Sequence, residues 1–196
     1  MRAVRRGSPF LLCKSLHFVG MALHLTLRAA RISDLAAVDG LLSRSYVRLL
    51  APDYSSSVMV LALPIISRAR PELLTSGRYY LAFAESGGLV GAGGWSMTTP
   101  GPSDQPEGHA DAGIRTGHVR HLAVDPAAVR QGVARRIMTA VFEAARAKGV
   151  LRMECLSTRT AVPFYTSVGF AAIGPVDVRL RPGIVFPAVQ MTCDLT

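Results

Sequence analysis

The chain has 196 residues, 49% of them apolar, which is the size of one ordinary domain with ample material for a core. Its formal charge is +9, but Arg2, Arg5, Arg6 and Lys14 supply four of those charges within residues 1–23, and the remaining +5 is spread over separate arginines with no basic run interleaved with aromatics. That distribution argues against a nucleic-acid surface and suits an anionic ligand equally well, while Cys13, Cys155 and Cys193, odd in number and each in a different segment, suggest neither a zinc site nor a disulfide framework.

In the N-terminal segment Arg2, Arg5 and Arg6 precede PFLLCKSLHFVGMAL, which has the outline of a signal peptide. Lys14 and His17 interrupt its apolar region, no small-residue cleavage site follows, and the same interruptions exclude a transmembrane helix. Residues 1–20 are therefore expected to be a basic extension, unstructured or dispensable, with Met21 as an alternative start and a single domain over residues 21–196. HLTLRAA, residues 24–30, alternates as a strand does, and Ser33-Asp34 can cap a helix carrying Leu35, Val38, Leu41 and Leu42. A second helical region follows Asp53 with Val58, Leu61, Ala62 and Ile65, and Pro64 is expected to kink or divide it. Residues 78–85 and 89–98 read as two strands joined at Ser86-Gly87-Gly88, a hairpin signal.

Residues 99–116 are rich in Pro, Gly and acids and lack periodicity, so they read as a mobile loop, either a tolerated insertion or a lid, with His109 a solvated loop histidine. HVRHLAVDP, residues 118–126, is a strand that ends in Asp-Pro. After the turn VRQGVA, Val133, Ile137, Met138, Val141, Phe142 and Ala145 recur at helical spacing until Lys148-Gly149 supplies a basic last turn and a C-cap glycine. Residues 151–157 form another strand. Thr160 can cap a short helix with Pro163 in its first turn and Gly169 at its end. The last strands fall near 170–180 and 184–193, separated by Arg181-Pro182-Gly183.

The turn VRQGVA, residues 129–134, lies between an apolar strand and an amphipathic helix, where backbone N–H groups and the helix dipole together favour an anion. It is not a Walker loop, because Val133 and Ala134 follow Gly132 in place of Lys and Ser or Thr, and it is not a Rossmann fingerprint, because only one glycine is present. It does resemble the acyl-CoA-binding motif of the GNAT superfamily of N-acetyltransferases, Arg/Gln-x-x-Gly-x-Gly/Ala. Gly132-x-Ala134 matches the second half, and Val129 stands where the family has Arg or Gln. Downstream, LRMECLSTRTAVPFYTSVGF, residues 151–170, resembles the family's fifth strand, fourth helix and Phe-Tyr-x-x-x-Gly-Phe ending, with Thr158 where the family often has Asn.

This resemblance, extending over about residues 24–194, implies an α/β fold of the α+β type: a twisted, mixed, mostly antiparallel sheet of six to seven strands with helices on both faces. It implies a cytoplasmic, acetyl-CoA-dependent acyltransferase without a metal, which moves an acetyl group to a primary amine by direct attack in a ternary complex. The acceptor would be a small-molecule or peptide amine, with no membrane or nucleic-acid partner, and a homodimer is allowed.

The resemblance also implies site residues. Backbone amides of Gln131, Gly132, Val133, Ala134 and Arg135 would hold the pyrophosphate, with Arg135 adding side-chain charge. Leu122 and Val124 would pair through their backbone with the pantetheine arm, Thr158 would complete the cofactor side, and an N–H near Leu122 would polarise the thioester carbonyl. Tyr165 matches the tyrosine that protonates the sulfur, although Phe164-Tyr165 also reads as a helical core pair. His118 aligns with the carboxylate that serves as base in histone-type members; Glu154 and a water relay are the other candidates. Alternation puts residues 118, 120, 122 and 124 on one face, so that Arg120 lies beside His118 and can bind an acidic acceptor, and puts His121 on the opposite face as packing. Cys155, on a core strand, reads as packing, and Tyr46, Tyr54, Tyr80 and Trp95 as aromatic surface that is core or acceptor pocket. Two rival readings are a catalytically degenerate CoA-binding sensor, suggested by Val129 and Thr158, and a nucleic-acid binder, suggested by the charge alone.

Overall fold

The computed structural model describes residues 24–99 and 114–195. The expectations for residues 1–20, for most of the 99–116 segment and for His109 and Cys13 fall outside these residues.

Seven strands form one sheet: β1 (Leu25–Ala29), β2 (Tyr79–Ala84), β3 (Leu89–Ser96), β4 (Thr116–Val124), β5 (Arg152–Ser157), β6 (Ala171–Arg181) and β7 (Ile184–Asp194). Their order across the sheet is β1-β2-β3-β4-β5-β7-β6, and every neighbouring pair is antiparallel except β4 and β5. The parallel pair is joined by α4 (Val133–Ala147), because parallel neighbours need a long crossover. α4 buries Val133, Ile137, Met138, Val141 and Ala145 on one face of the sheet against Ala82, Trp95, Val119 and Met153. α5 (Val162–Ser167) adds Tyr165 to the same core.

The opposite face is covered by α1 (Leu35–Leu50), whose Val38, Leu41 and Leu42 pack with Tyr79, Leu81, Ala92 and Ala123, and by α2 (Ser56–Ile66), whose Met59 and Ala62 pack with Phe186 and Ala188 of β7. The mixed, mostly antiparallel sheet with helices on both faces is the expected architecture.

Local differences from the sequence reading have physical reasons. Ser33-Asp34 falls in a 3-10 turn, Ile32–Asp34, and the Asp34 carboxylate accepts from the Arg31 amide and from both terminal nitrogens of Arg28 instead of capping α1. Arg28 holds that carboxyl down at about 2. Pro64 neither breaks nor divides α2: the Ser67 amide still donates to Leu63 at 3.0 Å, and only the proline's own donor is lost. Thr160 lies in a 3-10 turn, Arg159–Ala161, where its hydroxyl bonds Asp53, and Ala161 takes the N-cap place of α5. A short helix, α3 (Pro71–Thr75), starts on a proline at its first turn and was not anticipated, since five residues are too few to show a period.

Candidate active site

The pairing of β4 with β5 covers only Thr116↔Arg152, Gly117↔Met153 and His118↔Glu154. Beyond that point the strands diverge, so β4 remains paired to β3 as far as Gly91↔Val124 while its other edge, from Val119 onward, has no strand partner among the described residues. A cavity of about 600 Å³ occupies the gap. Its walls come from Val119–Leu122 of β4, Cys155–Thr158 at the end of β5, Tyr165 of α5, Tyr46 of α1, Ile65 and Ile66 of α2, and the β6–β7 hairpin.

At the gap β4 is not a regular strand. The register shifts by one residue between Ala92↔Ala123 and Gly94↔Arg120, and His121 takes a left-handed φ of 46°, so β4 carries a bulge opposite Gly93. Leu122 swings over Gly93, where an added Cβ would come within 2.7 Å of the Leu122 side chain. The bulge is tied down from beneath by Tyr79, whose hydroxyl donates to the His121 carbonyl at 3.2 Å. It also reverses the alternation. Val119 packs in the α4 core, so His118 and Arg120 face the other side, whereas Leu122 and Val124 join the α4 core and Ala123 joins the α1 core. The expectation that 118, 120, 122 and 124 share a face is therefore corrected: 118 pairs with 120, and 122 with 124, on opposite faces.

Tyr165 lines the cavity and is also a core residue, its ring meeting Phe164 and Phe170 edge-on at 5.4 and 5.2 Å. Burial, followed by the neighbouring Cys155 and Tyr46, pushes its phenol well above the ordinary range, so the hydroxyl keeps its proton at neutral pH. Thr158 and Leu122 line the same cavity. Cys155 lines it as well, but burial raises its thiol to about 12, which fits packing better than nucleophilic use.

His118 is buried and is not among the cavity-lining residues; it sits one step back, where β4 and β5 still pair, with Nδ1 3.8 Å from Glu154 Oε2. Burial and then Arg120 pull its proton affinity down to about 4, so it is neutral at pH 7. His121 does line the cavity, its Nδ1 is buried without a hydrogen-bond partner, and burial with Arg120 and Arg70 brings it down to about 4. It is more than the packing residue that alternation suggests.

The glycine turn lies at the far end of β4 from His118. Arg130 and Gly132 both take left-handed φ values, 64° and 81°, which turn the chain sharply into α4. Arg136 donates to the Gly132 carbonyl at 2.9 Å, and the amides of the first helical turn ahead of it have no acceptor within the helix. Space over Gly132 is open: a Cβ there would meet nothing within 4 Å. The Gln131 side chain closes the turn onto the Ala127 carbonyl, and the Arg135 guanidinium reaches Ser167. Val133 is core and contributes only its backbone here, while Val129, 37% exposed, points no polar group at the turn. Gln131–Arg135 and Val124 do not line the cavity; β4 is the strand that links the two regions.

Of the four aromatic candidates, Tyr46 alone lines the cavity. Trp95 is buried in the α4 core and Tyr80 packs against it. Tyr54 stacks on Phe186 at 4.7 Å, donates to Pro187 and accepts from the Arg159 amide. Tyr79, Arg70 and Arg179 carry no local sequence signal of a site, and Arg181 lies in a segment that reads as a turn. Among the described residues no group of His, Cys, Asp or Glu is arranged to hold a metal ion, and no helix is long and apolar enough to cross a membrane.

Residues 51–195 match the model of the acetyltransferase (GNAT) domain family. Among solved structures, the chain is similar to a GCN5-related N-acetyltransferase from Rhodopseudomonas palustris, with TM-score 0.66 and 21% identity, covering 89% of this chain and 98% of that one. It is similar to the PaiA N-acetyltransferase of Thermoplasma acidophilum in complex with coenzyme A, with TM-score 0.63 and 15% identity over 88% and 99% of the two chains. A third is the putative acetyltransferase yncA of Salmonella typhimurium with acetyl-CoA, with TM-score 0.59 and 17% identity over 88% and 95%. A comparison with curated proteins finds no match. The divergent strand pair, the bulge and the glycine turn thus sit in a fold that those structures share, and with the family model covering most of its length, the chain belongs to the GNAT acetyltransferase family.

Proposed function

We propose that the protein is an N-acetyltransferase that transfers the acetyl group of acetyl-CoA to a primary amine by direct attack in a ternary complex. One observation carries this reading: the edge of β4 that has no strand partner among the described residues runs from a cavity containing Tyr165 to the amides at the start of α4. The residues fit the co-substrate. An extended arm can add to the free edge of β4 as a strand, through the backbone at Leu122 and Val124. A pyrophosphate can sit on the amides of Gln131, Gly132, Val133, Ala134 and Arg135, where the space over Gly132 is open. Thr158, across the gap, completes the pocket. Bound acetyl-CoA supplies an activated thioester carbonyl and a thiolate leaving group.

The chain's own groups do the remaining work. The bulge leaves one of His121 and Leu122 outside the β3 register, and an amide there can polarise the carbonyl. As the amine nitrogen bonds to the carbonyl carbon and the carbon–sulfur bond breaks, Tyr165 gives its proton to the sulfur. His118, with Glu154 beside it, receives the proton shed by nitrogen, through water from the cavity. A histidine held at about 4 is too weak to strip a free ammonium ion, whose pKa is about 10, so this transfer follows attack, when the nitrogen has become acidic. Structures with coenzyme A or acetyl-CoA among the similar folds support the co-substrate.

The test is Tyr165→Phe, which keeps the ring contacts with Phe164 and Phe170 and removes only the hydroxyl. A positioned acid contributes roughly 10²–10⁴-fold. Release of CoA thiol at saturating acetyl-CoA and acceptor should fall by at least about 100-fold, with CoA affinity by calorimetry unchanged. Unchanged turnover would remove Tyr165 from the mechanism; CoA binding with no transfer to any amine would overturn the enzymatic reading.

A further inference from the structure

β6 ends the sheet beyond β7 and, among the described residues, has no strand on its outer side over its 11 residues. Two prolines fix which of its backbone groups face outward. Pro175 has no N–H, and a proline within a strand is accommodated where the missing donor falls on the free edge. On β7, Pro187 lies opposite Asp177, and its carbonyl accepts at 2.9 Å from the Tyr54 hydroxyl, which also holds the Arg159 amide beyond the end of β5. The polar groups of Pro187 thus face the β5 side and leave those of Asp177 without a partner on β7. Main-chain groups alternate between neighbours along an antiparallel ladder, so Asp177 and Arg179, like Pro175, direct theirs to the outer edge, in a stretch whose register with β7 is unbroken from Gly174 to Arg179.

The side chains are sorted as clearly. Asp177 and Arg179 are exposed on one face of the strand, whereas Val176, Val178 and Leu180, on the other, are partly buried against the α2 cluster. Few registers let a second, antiparallel β6 lie along this edge. With a two-fold axis at Asp177 or at Arg179, that charge meets its own like. With the axis at Val176, Pro175 falls opposite Asp177 of the copy and each pair lacks a donor. With the axis at Val178, Asp177 meets Arg179 of the copy and Arg179 meets its Asp177, each by a reciprocal pair of main-chain hydrogen bonds, while Val176 meets Leu180 on the apolar face. The same axis sets both α2 helices on one side of the joined sheet. α2 has no charged residue from Ser56 to Ile66, and its Val60 and Leu61 are 72% and 51% exposed, although a helix apolar on all sides is ordinarily covered.

We propose that the outer edge of β6 is the seam of a homodimer, in which two copies of this chain pair antiparallel about Val178 and join their seven-stranded sheets edge to edge, with α2 of each copy beside the seam. Pro175 and the two charges deter an arbitrary strand from adding to this edge, and they match one strand, their own copy. The proposal does not depend on the reaction the protein catalyses. It bears on the site all the same, because Val178, Arg179, Leu180 and Arg181 also line the cavity between β4 and β5, so the partner's strand braces one of its walls.

Sedimentation velocity of the full chain over a concentration series should show a species of twice the 20.9 kDa chain mass. Asp177→Arg and Arg179→Asp, both at exposed positions, each place like charges opposite one another twice across the two-fold axis. Each should raise the dimer Kd at least about 10-fold. The double variant Asp177→Arg with Arg179→Asp restores both pairs and should return Kd to within about threefold of the parent. Mixing the two single variants places every charge opposite its complement, so they should form a heterodimer while neither pairs well with itself. For the unaltered protein, hydrogen exchange at the Asp177 and Arg179 amides should slow as the dimer fills, a readout that needs no variant to fold.

A chain that stays monomeric throughout the series overturns the proposal, and protection of those two amides in the monomer would show instead that another segment of the same chain covers the edge. A dimer whose Kd is indifferent to both single substitutions, or whose amides at Asp177 and Arg179 exchange at the same rate in monomer and dimer, is formed through another surface and overturns it as well. Dissociation by each single substitution with recovery in the double variant or in the mixture supports the seam and its register together, since no other axis along β6 pairs Asp177 with Arg179.

Discussion

Gly132→Ala separates what the glycine turn costs the fold from what it does for an anion. At φ 81° the residue lies in the left-handed region, which an L-residue occupies at a cost of about 1–2 kcal/mol. The added Cβ meets no atom within 4 Å, so no clash enlarges that cost. For a chain of this size about 1 kcal/mol corresponds to roughly 2–4 °C in Tm, so the variant should fold and melt about 2–8 °C lower. The same methyl group projects into the open space before α4, where the proposed pyrophosphate meets the amides of 131–135. Hydrogen bonds to a charged group are worth about 1.5–3 kcal/mol each, and loss of one weakens binding about 10-fold or more. Calorimetric titration with CoA, alongside melting of the ligand-free protein, reads both quantities. A lowered Tm with CoA affinity within twofold of the parent would refute the placement of the pyrophosphate.

Three further outcomes are expected. Tyr79→Phe removes the donor that holds the His121 carbonyl, at about 1 kcal/mol of stability, and should lower kcat about 10-fold while KM for acetyl-CoA stays put; steady-state kinetics with kcat within twofold of the parent would show that the bulge needs no such tie. Gly93→Ala drives a methyl into Leu122 at 2.7 Å, and chemical denaturation should report a loss of about 1–3 kcal/mol together with impaired transfer; full stability would mean that the bulge yields freely. His118 and His121 are held neutral down to about 4, against an ordinary 6.5, so as pH falls below 6.5 the unfolded chain takes up protons first. The stability from this is complete above about 6.5 and is lost toward 4, by up to about 1.4 kcal/mol per pH unit for each histidine. Melting between pH 7.5 and 4.5 should show this slope, and His121→Asn should flatten it; an identical slope in the variant would assign the acid sensitivity elsewhere.

Much of this fold was legible because most of its elements announce themselves over short range. The apolar stripe from Val133 to Ala145, the Gly87-Gly88 hairpin and the Pro182-Gly183 turn are local signals, and each element stands where they indicated. The bulge was not legible: HVRHLAV alternates as well in a regular strand, and the extra residue is absorbed only because Gly93 on the neighbouring strand gives way to Leu122. Tyr165 was found through the motif around it. Tyr79 was not, since its role is a bond to a carbonyl 42 residues away. The arginines at the opening were legible only in part: Arg120 reads as facing an acceptor from strand alternation, whereas Arg70 and the hairpin pair reach that opening only after three segments fold onto it.

The short seam between β4 and β5 bears on the mechanics of the whole domain. The sheet is two panels, β1 to β4 and β5 to β6, stitched by three register pairs at one end and left open at the other. A ligand laid along the open edge would act as an eighth strand, contributing hydrogen bonds that the chain does not make for itself. Such a ligand binds the folded sheet and not the unfolded chain, so it stabilises the panels it joins by an amount that grows with its free concentration relative to Kd. A coenzyme bound as proposed would be a part of the sheet for as long as it stayed, and each round of transfer would end with the molecule briefly missing one of its strands.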